Sequence, residues 1–207
     1  MISEIIKQFG SEKILDYTPF PKLWNPGTEK VKAIYLGCDP SNKSQDRFEY
    51  VFALKSGNPR YNAFLKSHGD NLSAINLGWD SVYVQNLCQN YFIEETSKNL
   101  KLWKQVAREF WIPRLKEELQ IFSSNIPVLL TSQYLLEVLA FDGYEKIPAF
   151  DFYNCDKQIP IPAQKNHLCK PLIPFYRGRN PRINEKYHLS NERWIEYRNS
   201  IVKVVEG

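Results

Sequence analysis

Residues 31–40 read Val-Lys-Ala-Ile-Tyr-Leu-Gly-Cys-Asp-Pro and carry the strongest indication of the fold. Val31 to Leu36 is a short, nearly continuous apolar run, which predicts a strand buried on both faces of a parallel sheet. Gly37 and Pro40 mark the turn that ends it, since glycine and proline punctuate regular structure. Asp39 is therefore expected just past the carboxyl end of a buried strand.

Further strands and helices alternate along the rest of the chain. Strands are predicted at Ser81 to Leu87, Val128 to Leu130 and Leu172 to Phe175. Helices are predicted at Tyr61 to Leu77, at Ser97 to Leu119 with an interruption near Pro113, at Gln133 to Phe141, and from Ser190 onward. This alternation is typical of an α/β protein, and right-handed crossovers place helices on both faces of the sheet. The predicted fold is a three-layer α/β/α domain with a mostly parallel four-stranded central sheet.

Length and composition indicate a globular chain. The 207 residues are 43% hydrophobic and 14% aromatic, which excludes disordered, collagen-like, coiled-coil and low-complexity proteins. No apolar run approaches the ~20 residues of a membrane helix, and residues 1–10 lack the features of a secretory signal. We expect no membrane association and a cytoplasmic location. A helix around Glu4 to Leu15 and a proline-rich lead-in are expected over residues 1–27, followed by one domain over residues 28–207.

Cysteine spacing and loop composition indicate no bound cofactor. The four cysteines contain no Cys-x-x-Cys pair, so thiols packed as small hydrophobic groups are expected rather than a metal site. No glycine-rich phosphate loop of a common pattern is present, so no organic cofactor is expected.

The net charge of +4 is concentrated toward the carboxyl terminus. Basic residues outnumber acids between Lys165 and Arg198, most densely in Arg177-Gly178-Arg179-Asn180-Pro181-Arg182. A basic segment with turn residues is either a solvated loop or a loop that contacts phosphates.

Polar side chains follow each predicted strand. The carboxyl ends of parallel strands meet at one edge of a sheet, where α/β proteins bind ligands. There the sequence delivers an acid, an amide, hydroxyls and a guanidinium, namely Asp39, Asn86, Thr131, Ser132 and Arg177. These groups predict one polar pocket.

Several of these residues also match a known family. The segment Ala33 to Pro40 resembles the first motif of the uracil-DNA glycosylase superfamily, in which a buried strand ends in Gly-x-Asp-Pro. That family has a Phe thirteen residues after the Asp, which falls here on Phe52, and an Asn ending the next strand, which corresponds to Asn86. A Trp-led helix and a strand with a Ser-containing turn follow in the family's order, at Leu102-Trp103-Lys104 and Val128 to Ser132. The resemblance covers roughly residues 31 to 204.

The resemblance implies hydrolysis of the bond between a base and its sugar in DNA, with the base flipped into a pocket. Asp39 would stabilise the positive charge of the sugar and orient the attacking water. Phe52 would stack on the base, and Asn86 would read its edge with one donor and one acceptor. Cys38 and Ser41 would belong to the same base pocket.

The resemblance also implies that Ser132 contacts DNA. The chain departs from the family at two places. Where the family has a His-Pro-Ser motif, this chain has no His, and Arg177 would act electrostatically because a guanidinium keeps its proton. Where many uracil-specific members have a Tyr that excludes thymine, Ser41 leaves space, so uracil or another damaged base is expected. Arg179 and Arg182 would brace the DNA.

Each of these residues also has a simpler interpretation. Asp39 could only end a strand, Phe52 could be core, Asn86 could cap a turn, and Arg177 could pair with a surface acid. The leading hypothesis is a DNA glycosylase whose partner is DNA, with RNA or a free nucleobase as other ligands. The alternatives are a non-catalytic nucleic-acid or nucleobase binder on the same scaffold, since fold does not carry function, and an unrelated nucleotide-handling α/β enzyme. The oligomeric state is left open.

Overall fold

The structure, a computed structural model, describes residues 1–176 and 191–207. Within these ranges the strands, numbered in chain order, are β1 (Ile14–Leu15), β2 (Ala33–Gly37), β3 (Val82–Asn86), β4 (Tyr91–Phe92), β5 (Val128–Leu130) and β6 (Leu172–Pro174). The α-helices there are α1 (Ile2–Phe9), α2 (Asn62–Ser73), α3 (Leu100–Val106), α4 (Ile112–Glu118), α5 (Gln133–Leu139), α6 (Ala149–Tyr153) and α7 (Asn191–Glu206).

The central sheet has four parallel strands in the order β3-β2-β5-β6. Every residue of these strands is buried, because helices flank the sheet. The register places Gly37 opposite Asn86, and Leu36 opposite Leu130. The predicted three-layer α/β/α architecture with a parallel four-stranded sheet is confirmed.

The helical stretch predicted over Ser97 to Leu119 is present and is interrupted near Pro113, as expected. It consists of α3, a π-helical turn over Ala107–Trp111, and α4. Pro113 has no backbone N–H to donate to the carbonyl of Glu109, so the regular hydrogen-bond ladder is lost at this point. The π turn also brings Trp111 into the core, where its indole N–H donates to Asn90 at 2.7 Å.

The N-terminal segment differs from the prediction. The helix expected over Glu4 to Leu15 ends at Phe9, because Gly10 adopts a φ of 96° that an α-helix cannot continue. The chain then forms β1, which pairs antiparallel with β4. Ile5 and Ile14 are both buried in the main hydrophobic core, so this segment packs against the body of the protein.

Helices α2 and α5 lie where they were predicted but are shorter, and α6 was not predicted from the sequence. Helix α5 begins after Ser132, whose hydroxyl accepts a hydrogen bond from the N–H of Tyr134 at 3.2 Å and so caps the helix. Helix α7 buries Trp194, Tyr197 and Ile201 on one face, while Ser190, predicted to open it, lies outside the described residues. No helix in the two described ranges has the length and apolar character needed to span a bilayer.

Candidate functional site

A cleft of about 1670 Å³ opens at the carboxyl ends of the central strands. The turns that follow β2 and β5 and the last residue of β3 form part of its lining, and side chains of α2 and α7 form a further wall. The chain leaves β2 toward β3 and leaves β5 toward β6, in opposite directions along the sheet. Such a switch point leaves a crevice in which α/β proteins bind ligands.

Most of the residues predicted for the site line this cleft. They are Cys38, Asp39, Ser41, Phe52, Asn86, Thr131 and Ser132. The basic residues predicted for it, Arg177, Arg179 and Arg182, lie outside the described residues.

The last residue of β2 has room for no side chain. A Cβ placed on Gly37 would lie 2.7 Å from Cε2 of Phe52 and would collide with Oδ1 of Asn86. The aromatic ring and the amide therefore both reach the strand where it ends. With no side chain at Gly37, Phe52 and Asn86 both lie close to the end of β2, two residues before Asp39.

Asp39 is partly buried in the cleft, and both of its carboxylate oxygens accept hydrogen bonds. Oδ1 accepts from the backbone N–H of Ser41 at 2.9 Å, and Oδ2 accepts from the hydroxyl of Thr96. Burial raises the pKa of the Asp39 carboxyl above its ordinary value, and these hydrogen bonds offset that effect only in part. The carboxylate is thus firmly oriented but less readily ionised than an exposed Asp.

Asn86 ends β3 and is only 3% exposed. Its backbone N–H donates to Oε1 of Gln85 at 3.0 Å, while the structure shows no hydrogen-bond partner for its side-chain amide among residues 1–176 and 191–207. A buried amide usually has partners, so one that faces a cleft without them suits a ligand. It offers one acceptor and two donor hydrogens.

Phe52 lies on the cleft wall in a strained backbone turn. It adopts a φ of 57° and a ψ of 19°, and Ala53 also has a positive φ, 54°. Non-glycine residues in this region are uncommon and cluster at functional sites. The ring is held at 5.4 Å from the ring of Tyr35 and 5.2 Å from that of His68. These contacts fix the ring without burying it completely.

Ser41 is held by hydrogen bonds to β4 and to Asp39. Its hydroxyl accepts a hydrogen bond from the N–H of Phe92 at 2.7 Å, and its own N–H donates to Asp39. Cys38 is held through its backbone carbonyl, which accepts from the N–H of Cys88 at 2.9 Å. In the part of the chain that the structure describes, no group of three His, Cys, Asp or Glu side chains is placed to hold a metal ion.

Three further polar residues that line the cleft were not predicted to do so from the sequence. Thr96 lies in the turn after β4 and donates to Asp39, and nothing local in the sequence indicates that contact. His68 lies on α2, where its Nδ1 and the Tyr35 hydroxyl are 2.5 Å apart. Arg198 lies on α7. A signal existed for Arg198, because it is the cation on the helix face formed by Trp194, Tyr197 and Ile201.

No protein-family model matches the chain, and no curated protein matches it either. What the cleft can do is therefore inferred from its own geometry. A flat ring, an amide with free donors and an acceptor, and an oriented carboxyl suit a planar polar ring and a positive charge that develops next to it.

Proposed function

We propose that the protein is a DNA glycosylase-like hydrolase related to the uracil-DNA glycosylase superfamily. It would bind a flipped uracil or another damaged base in the cleft and hydrolyse the N-glycosidic bond. The observation that supports this most strongly is the close approach of both the Asn86 amide and the Phe52 ring to Gly37, two residues before Asp39. Cleavage of an N-glycosidic bond needs groups of these three kinds around one ligand.

Each group has a defined role in the proposed reaction. The ring of Phe52 supports one face of the base, and the amide of Asn86 hydrogen-bonds to its edge. As the bond between the base nitrogen and C1′ breaks, its electron pair leaves with the base and the sugar becomes positively charged. The Asp39 carboxylate stabilises that charge and orients a water. The water oxygen bonds to C1′, and its proton and the proton taken up by the base are exchanged with solvent.

Two observations favour the alternative, a nucleobase or nucleic-acid binder without catalysis. Burial raises the pKa of Asp39, which disfavours the charged form that the reaction needs. Both carboxylate oxygens also accept hydrogen bonds from Ser41 and Thr96, which leaves fewer lone pairs for a water. A carboxyl held in this way can orient a bound base without attacking its sugar bond.

Release of free base from oligonucleotides tests the proposal. Single- and double-stranded substrates carrying uracil, hypoxanthine or other lesions are incubated with the protein, and the free base is quantified. Asp39→Asn should lower release by at least ~10²-fold, as loss of one preorganised electrostatic group often does. The matched control is Asp142→Asn, since Asp142 is exposed, does not line the cleft and has a φ of 56° that Asn also tolerates.

The two hypotheses give different results in this experiment. Release by the unmutated protein that survives in Asp142→Asn and is lost in Asp39→Asn supports the glycosylase. Release that persists in Asp39→Asn removes Asp39 from the chemistry. No release from any substrate, together with binding that is weakened by Asn86→Ala, supports the binder.

A further inference from the structure

Arg198 is a cation of the cleft that none of the roles above uses. It lies on α7 and lines the cleft together with Trp194 and Ile195 of the same helix. Its Nε is buried and has no hydrogen-bond partner among residues 1–176 and 191–207, and its guanidinium forms no ion pair with them. A guanidinium carries its charge at any physiological pH, so an acceptor that enters the cleft can satisfy a donor that the described residues leave without a partner.

The helix that carries Arg198 is firmly fixed to the core. The hydroxyl of Tyr197 donates to the carbonyl of Pro174 at 2.5 Å, and Ile201 is fully buried. Trp194 packs edge-on against Tyr153, with ring centroids 5.0 Å apart. Arg198 is therefore held on a rigid element, which lowers the entropic penalty of binding a ligand.

The acids of the cleft do not neutralise this guanidinium. Asp39 accepts its hydrogen bonds from Ser41 and Thr96. Asp70, on α2, pairs with Lys66 at 2.6 Å. Neither these carboxylates nor Glu95, which also lines the cleft, forms an ion pair with Arg198. Within residues 1–176 and 191–207 this guanidinium therefore has no anionic partner, which suits it to an acceptor carried by a ligand.

We propose that Arg198 forms an oxyanion subsite of the cleft, and that it binds a phosphate group of the nucleotide whose base lies near Asn86. The planar fork of a guanidinium matches two oxygens of a phosphate, and such charge-assisted pairs are among the stronger hydrogen bonds. The subsite rests on the proposed function only in that the cleft takes a nucleotide, whether or not it is hydrolysed. The phosphate comes either from a free mononucleotide or from a DNA strand.

Binding of matched ligands with and without phosphate tests the subsite. The probes are 2′-deoxyuridine, its 5′-monophosphate, inorganic phosphate and a uracil-containing oligonucleotide, measured by calorimetry. In the unmutated protein, affinity should rise from the nucleoside to a phosphate-bearing ligand. Arg198→Gln should remove about 10- to 100-fold of that rise and leave nucleoside affinity unchanged. Arg198→Lys, which keeps the charge but not the fork, should fall between the two.

The matched control is Arg193→Gln, the same substitution at an exposed arginine of α7 that pairs with Glu196 and does not line the cleft. A phosphate-dependent gain that is lost in Arg198→Gln and kept in Arg193→Gln supports the subsite. Binding of inorganic phosphate, or tighter binding of the monophosphate than of the nucleoside, identifies a free phosphate as a ligand. Tighter binding of the oligonucleotide alone identifies the DNA backbone. An equal gain in Arg198→Gln overturns the subsite. Equal weakening of nucleoside and nucleotide also overturns it, because Arg198 would then contact the nucleoside.

This experiment is independent of base release. A phosphate-dependent gain without release of free base would refute the glycosylase and retain the subsite. Release of free base without any Arg198-dependent gain would do the reverse. Thermal unfolding of each variant verifies that the loss of affinity does not come from unfolded protein.

Discussion

At the scale of single residues, the lack of space for a side chain at Gly37 leads to the most specific prediction. Gly37→Ala should destabilise the fold by about 1–3 kcal/mol, as overpacking of a core does, because the new methyl group meets the Phe52 ring and the Asn86 amide. Both side chains would have to move away from the strand end, so ligand affinity should fall as well. Urea unfolding and ligand binding measure the two effects.

A glycine in ordinary surroundings provides the control for this substitution. Gly69, on α2, would place a Cβ 3.5 Å from Nε1 of Trp79, which is a normal contact distance. Gly69→Ala should therefore be neutral or stabilising by up to about 1 kcal/mol, since alanine favours helix more than glycine does. In an Asn86→Ala background, the penalty of Gly37→Ala should shrink because the nearest obstacle is gone. An undiminished penalty there would contradict the proposed contact.

Asp39 gives a prediction in which stability and function oppose each other. Because burial raises its pKa, the folded protein holds the Asp39 proton more tightly than the unfolded chain does. Ionising the group then reduces stability: the loss is absent below the ordinary Asp value of 3.8, grows as pH rises through the raised folded pKa, and is constant above it. Asp39→Asn keeps the shape of the side chain and avoids this loss. It should be more stable than the unmutated protein at neutral pH and equal to it in acid.

Urea unfolding midpoints of Asp39→Asn and of the unmutated protein, measured from acid to neutral pH, test this prediction. The difference in stability between the two proteins should grow as pH rises through the titration of Asp39. A variant that is less stable at neutral pH would show that the carboxylate, not its neutral form, stabilises the fold. Loss of base release with a gain in stability would be the trade-off expected of an active-site residue.

At the scale of elements, the central strands could be predicted because they are buried along their whole length. Val128 to Leu130 coincides with β5, and the other three predicted strands differ from the structure by at most two residues at either end. Continuous apolar runs of this length carry the signal by themselves. Asp39 and Asn86 lie at the ends of two of these strands. The apolar runs therefore also predicted the positions of these two cleft residues.

Other elements could not be predicted, because their cause is not local. β1 and β4 have two residues each, too few to show a period, and they pair across more than 70 residues of chain, Ile14 with Phe92. That pairing in turn positions the turn that carries Thr96, so the hydroxyl bonded to Asp39 could not be found from sequence. Phe52 was placed by its spacing from Asp39, but its positive φ was not, since no pattern in the sequence marks a left-handed Phe.

At the scale of the whole molecule, charge is the main argument for the proposed nucleic-acid partner. A net charge of +4 is modest, and many globular proteins without nucleic-acid partners reach it. What distinguishes this chain is the concentration of basic residues between Lys165 and Arg198. These residues could act through phosphate contacts or only through their effect on net charge. Substitutions that change the net charge equally, inside and outside this segment, separate the two effects.

The pair Arg179→Ala and Arg182→Ala should weaken binding to a labelled DNA duplex whatever its sequence. The slope of log affinity against log salt should become shallower by about two units, roughly one for each lost phosphate contact. A second double variant, Lys13→Ala with Lys146→Ala, removes the same charge from exposed positions that do not line the cleft, and its slope should match that of the unmutated protein. The stability of the Lys13→Ala and Lys146→Ala variant should change little, because exposed charges contribute little to it. Equal slopes in all three proteins would mean that the basic segment is a solvated loop. Equal reductions in the two double variants would mean that DNA responds to net charge alone, and in either case the basic segment would no longer argue for a nucleic-acid partner.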